Sequence, residues 1–172
     1  MADHTKDTYT SGLMYGRGSM TQRLVPISVS RILVAVDGSE HSKKVVELGV
    51  DLALKWNAEL YLIQVVEGTS VPEGYREFAK DEHMDPLSYF DRLGEQFLRP
   101  AEERARAAGI KKVERMPVRG HPAEEILKAA QERNVDLIIL GSRGFGKFPR
   151  ACLGSVSTKV LTHANCTCIT VK

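Results

Sequence analysis

The residues best suited to chemistry in this 172-residue chain lie in GSRGFGKF, Gly141 to Phe148. Gly141, four further residues, Gly146 and Lys147 match the G-x-x-x-x-G-K loop that wraps phosphate oxygens in backbone N–H groups. That loop needs Ser or Thr after the lysine to hold magnesium; Phe148 has no hydroxyl, and Pro149 follows it. A second spacing fits without mismatch: Gly141, two residues, Gly144, nine residues, Gly154 and then Ser155, directly before the helical pattern SVSTKVLTHA. A helix amino terminus offers unpaired N–H groups and positive partial charge, and glycine lets a ligand approach backbone with no Cβ in the way. Ser155 adds a hydroxyl. The implied chemistry is binding of phosphate oxygens at Gly154-Ser155, with the Walker-like spacing a coincidence of loop composition.

Strands and helices must bring these residues together. RILVAV (31–36), ELYLIQVVE (59–67) and VDLIILG (135–141) are short β-branched, apolar runs of the kind buried on both faces of a parallel sheet, and VERMPV (113–118) and CTCITV (166–171) are weaker strands. Between them fall four helical patterns. The first follows DGSEHS, with Ser39 as N-cap and Val45, Val46, Leu48, Gly49, Leu52, Ala53 and Trp56 at helical spacing. The second runs from Pro86 to Ala108, with Asp85 as cap, Gly109 as stop and a kink expected at Pro100. The third covers 120–134 with Pro122 in its first turn, and the fourth covers 155–164. Such alternation predicts an open α/β fold with right-handed crossovers, whose ligand lies beyond the carboxyl ends of the strands. Those ends carry Asp37, Val65 to Glu67, Gly120 and the Gly141 loop.

The bulk numbers are those of one soluble domain: 42% hydrophobic and 27% charged residues, with no apolar run near the ~18 residues of a membrane span. A net charge of +2 gives no global field for nucleic acid or anionic lipid. Three cysteines, Cys152, Cys166 and Cys168, form neither a disulfide framework nor a zinc spacing, which makes reducing cytoplasm the expected compartment. Cys166 and Cys168 read as small hydrophobes on one side of the last strand, and Cys152 as a candidate for oxidation if exposed. Residues 1–29 lack the apolar region of a signal peptide and are expected to be a flexible N-terminal extension to a domain at 30–172, with LVPISV able to add an edge segment. The segment 68–85 is long for a connection and is a candidate lid or partner surface. Arg143 and Lys147 are read as solvated loop charges, and His121 as a residue of a helix start rather than an acid or base.

Taken together, VAVDGSEHS, a strand ending in VVE, RGHPAEEIL, VDLIILGSRG and the full G-2x-G-9x-G-S signature resemble the universal stress proteins, in their ATP-binding branch, over residues 31–172. The resemblance implies a five-stranded parallel sheet of order 3-2-1-4-5, Rossmann-like and similar to the adenine nucleotide alpha hydrolases. It implies ATP, or AMP or ADP, across the strand ends, with Mg2+ as a possible companion. Asp37 would meet ribose or adenine, the Val65 backbone would bond the adenine edge, and Gly141 would border the ribose. Gly144, Gly154, Ser155, Val156 and Ser157 would surround the phosphates. The family often pairs through its last strand, implying a homodimer through residues 166–172. The expected function is a nucleotide-dependent stress-response module, with a slow ATP hydrolase or a ligand-free scaffold as alternatives. No paired magnesium carboxylates or catalytic loop stand out in the sequence, so no catalytic residue is assigned. S-G-G-x-D-S, H-x-G-H and a dinucleotide G-x-G-x-x-G after the first strand are absent.

Overall fold

Successive side chains of a strand point to opposite faces, and here both faces are apolar, which drives the strands to the middle of a layered molecule. The computed structural model describes residues 28–67, 86–144 and 153–172. In chain order it contains β1 (Arg31–Ala35), α1 (Glu40–Trp56), β2 (Glu59–Val66), α2 (Pro86–Ala107), β3 (Val113–Arg119), α3 (Pro122–Glu132), β4 (Leu137–Gly141), α4 (Ser155–His163) and β5 (Thr167–Val171). Every pairing is parallel, and the sheet order is β3-β2-β1-β4-β5, as the resemblance to the family implies. The chain therefore leaves β1 toward β2 on one side and returns to β4 on the other, which puts the switch point between β1 and β4.

Strand alternation divides the core in two. Ile32, Val34, Leu60, Leu62, Leu137 and Ile139 pack with α1 and α2, whereas Leu33, Tyr61, Ile63, Ile138 and Leu140 pack with α3 and α4. Each fully buried aliphatic side chain of this kind contributes about 1.5–3 kcal/mol relative to exposure. Val29 is buried in the first of these cores, and the Asp136 carboxylate accepts from the Ser30 and Arg31 N–H groups. The edge segment considered for LVPISV lies, up to residue 27, outside the described residues, as do Asp85, the 68–85 connection, Lys147 and Cys152.

Local chemistry sets the helix ends. Ser39 caps α1 by accepting from the Ser42 N–H at 3.3 Å, and Asn57 closes it in the left-handed conformation at φ 51°. Helix α2 runs through Pro100 to Ala107, within one residue of the expected end at Ala108. Arg115 of β3 ties this helix to the sheet through Glu95 at 2.7 Å and Glu102 at 2.8 Å. The two sheet edges differ. Gly120 N–H donates to Val66 C=O at 3.1 Å, and counting back by the two-residue alternation of the ladder turns the nitrogen of Pro117 outward. A proline there costs no ladder bond and blunts the β3 edge; β5 forms the other edge.

Candidate functional site

A cleft of about 260 Å³ opens where the strands end. All eight residues singled out in the sequence line it: Asp37, Val65, Gly141, Gly144, Gly154, Ser155, Val156 and Ser157. They come from three strand ends and the start of α4, as the switch-point topology requires.

One part of the wall is apolar, formed by Ala35, Val36, Ile63, Val65, Pro122, Ile126 and Leu140. Val65 belongs to it through more than its side chain. The last bond from the β1 side to β2 is Val36 N–H to Ile63 C=O, at 2.8 Å. Two residues on, the alternation turns the Val65 peptide groups to that same side, beyond the end of β1. An apolar slot edged by backbone donors and acceptors suits a flat, hydrogen-bonding ring.

Asp37 stands at the border with the polar part. Its Oδ1 accepts from the Ser39 N–H at 2.9 Å, the Ser39 hydroxyl at 2.7 Å and the Ser42 hydroxyl. Ser42, itself buried, also accepts from the Asp37 N–H at 3.0 Å. The local role of a helix-start aspartate is thus filled by one oxygen. The other, Oδ2, faces Gly144, where an added Cβ would come within 3.0 Å of it. The turn itself depends on Gly38, at φ 84°, where a Cβ would run into the Phe97 ring at 2.6 Å.

The polar part ends at α4. Its first helical bond runs from Thr158 N–H to Gly154 C=O at 2.9 Å, and Gly154, as N-cap, provides no capping side chain. The N–H groups of Ser155, Val156 and Ser157 therefore precede the intrahelical ladder at the cleft, and the helix dipole adds positive potential there. Gly154 has φ −69° and ψ 160°, open to any residue, and a Cβ added to it would meet nothing nearer than 3.5 Å. Neither backbone conformation nor packing among the described residues calls for glycine at this position.

Several wall residues carried no motif. Ile63, Pro122 and Ile126 were legible only as core or helix-start residues, and Ser39 and Ser42 only as caps. Arg143, set aside as a solvated charge, is half-buried in the cleft wall. Ser157 is 2% exposed, and its hydroxyl is turned onto backbone carbonyls. His121 occupies the N-cap position of α3 without capping it through its side chain; its Nδ1 lies 2.9 Å from Glu67 Oε1. Cys166 and Cys168 are half-buried against the α3–α4 core. Burial, then the neighbouring Cys168, pushes the Cys166 thiol up to about 11, and burial raises Cys168 too, which makes both poor nucleophiles. Among the described residues no group of three His, Cys, Asp or Glu side chains is placed to hold a metal, and no helix is long and apolar enough to cross a membrane.

The universal stress protein family model matches residues 28–172. The universal stress protein YxiE of Bacillus subtilis (strain 168) is 34% identical over 154 residues, covering 83% of this chain and 99% of its own. Among solved structures, the hypothetical protein MJ0577 superposes with a TM-score of 0.70 at 25% identity, over 85% of this chain and 97% of its own. A universal stress protein in complex with cAMP superposes with a TM-score of 0.60 at 25% identity, over 84% and 98%.

Proposed function

This chain belongs to the universal stress protein family, and from that premise we propose that it binds an adenine nucleotide, ATP in the first place, in the cleft at the carboxyl ends of its strands. The base enters the slot of Ala35, Val65 and Ile126, the ribose meets Asp37 Oδ2 and Gly141, and the phosphates reach the N–H groups at the start of α4 past Gly144 and Gly154. The observation that carries this reading is Gly154: a glycine that neither its backbone conformation nor the described residues around it require, at a helix start that it leaves without a side-chain cap. The relative in complex with cAMP supports the choice of an adenine nucleotide.

The protein acts as a cytoplasmic, nucleotide-dependent module that pairs with a second copy through β5, the edge that lacks a counterpart to Pro117. Titration calorimetry of ATP, ADP and AMP into nucleotide-stripped protein tests the site. Micromolar binding of ATP that Gly154→Val abolishes is the expected result; no binding by the folded wild type would return the chain to a ligand-free scaffold. Light scattering tests the pairing, and a monomer at micromolar concentration would refute it.

A further inference from the structure

The peptide of Ser142 gathers the polar end of the cleft. Its N–H donates to Val171 C=O at 2.7 Å, and its C=O accepts from the Gly154 N–H at 2.8 Å and from the Ser157 hydroxyl at 2.9 Å. The Ser157 hydroxyl also lies 2.9 Å from Gly154 C=O, so its single proton is shared between two carbonyls that flank the helix start. Ser142 and Ser157 are 3% and 2% exposed. A buried hydroxyl whose only proton is engaged with backbone has none to give a ligand, unlike the exposed Ser155 one residue into the helix.

We infer that Ser157 is a positioning residue: its hydroxyl pins the first turn of α4 to the Ser142 carbonyl, and so aims the N–H groups of Ser155 and Val156 at the oxyanions of a bound nucleotide. Residues 142 and 154 are the two ends of the connection from β4 to α4; the Gly154 N–H joins them directly, and the Ser157 hydroxyl, within reach of both carbonyls, braces that junction from inside the helix. Backbone donors act on charge only from a fixed position, so an amino end free to rotate would bind phosphate poorly while leaving the apolar slot intact. This inference rests on the nucleotide-binding reading and adds to it the means by which the site is held in shape.

The test uses the full chain as wild type, Ser157→Ala and Ser157→Thr, with calorimetry of ATP and of adenosine and with amide hydrogen exchange of the ligand-free proteins. Ser157→Ala should bind ATP about tenfold more weakly, the scale of one buried hydrogen bond, and bind adenosine as the wild type does. Exchange should quicken at Gly154 and Thr158, whose N–H groups hold backbone partners in this turn, before any ligand is added, and Ser157→Thr, which keeps the hydroxyl, should restore both properties. Equal losses for ATP and adenosine would mean general loosening and would overturn the inference, as would unchanged exchange at the helix start. Should the wild type bind no nucleotide, the binding proposal falls by itself, and the exchange measurement still decides whether Ser157 pins the turn.

Discussion

At one end of the cleft a ligand would meet side chains, Ala35, Ile63, Val65, Ile126 and Leu140, and at the other it would meet backbone, the N–H groups that open α4. The first end is a continuation of the α3–α4 core: Ile63, Ile126 and Leu140 are 1%, 3% and 2% exposed, so its shape is set by the packing that stabilises the fold. The second is set by what is missing, a side chain at Gly154 and a cap on the helix. On the proposed reading, recognition and stability are therefore entangled at the first end and separable at the second. Substitutions should divide accordingly.

The largest effect is expected at Gly154. A valine there suits the extended backbone but fills the space over the helix start, and ATP affinity should fall about 100-fold, the upper range for forcing extra methyl groups into a filled site. The melting temperature should stay within a few degrees and adenosine should bind as before. Loss of adenosine binding as well would mean that the two ends are not separable. Ile126→Ala supplies the opposite case. It should destabilise the protein by about 2–4 kcal/mol, because the side chain is core, and weaken adenosine roughly fivefold while inorganic tripolyphosphate is unaffected.

The same division explains what the sequence discloses. Backbone sites need glycine and a helix start at fixed spacing, and Gly141, Gly144, Gly154 and Ser155 carry that signal in one line of text. The alternation of strands and helices in a parallel sheet was also legible from the doubly apolar runs, whereas the strand order came only from the resemblance to the family. Ile126 and Pro122 were not legible as site residues, since an apolar wall residue has the same composition and period as a core residue. Ser157 was legible as part of the helix start, but not that its hydroxyl faces Ser142 C=O, fifteen residues back along the chain. Spacing along one element places its residues. It does not reveal which backbone group from another element lies opposite.

Asp37 joins the two ends and should show an intermediate effect. Asparagine can keep one oxygen for the Ser39 and Ser42 donors while turning an N–H2 toward Gly144, which exchanges an acceptor for a donor where the ribose hydroxyls would lie. Adenosine should lose about three- to tenfold in affinity, the scale of one hydrogen bond. The preference for adenosine over its 2′,3′-dideoxy analogue should disappear in the variant. A preference that persists would move the ribose away from Asp37.

The smallest expected effect concerns the thiols near α4, which sharpen the contrast between its open amino end and the packed surroundings of its far end. Cys166 and Cys168 lie on the second of these sides, and burial favours their neutral forms, that of Cys166 up to about pH 11. For a group whose folded pKa is raised, the stabilising contribution is complete below its unfolded value and fades as pH rises through the folded one; for Cys166 that window runs from 9.0 to about 11. In a Cys152→Ser background, alkylation of Cys166 by iodoacetamide, read by peptide mass spectrometry, should keep rising about tenfold per pH unit beyond pH 9, where denatured protein levels off. Saturating ATP should leave the rate nearly unchanged, because nucleotide at the amino end of α4 does not alter what covers Cys166 and Cys168. Strong protection by ATP would instead mean that the two ends of the helix move as one.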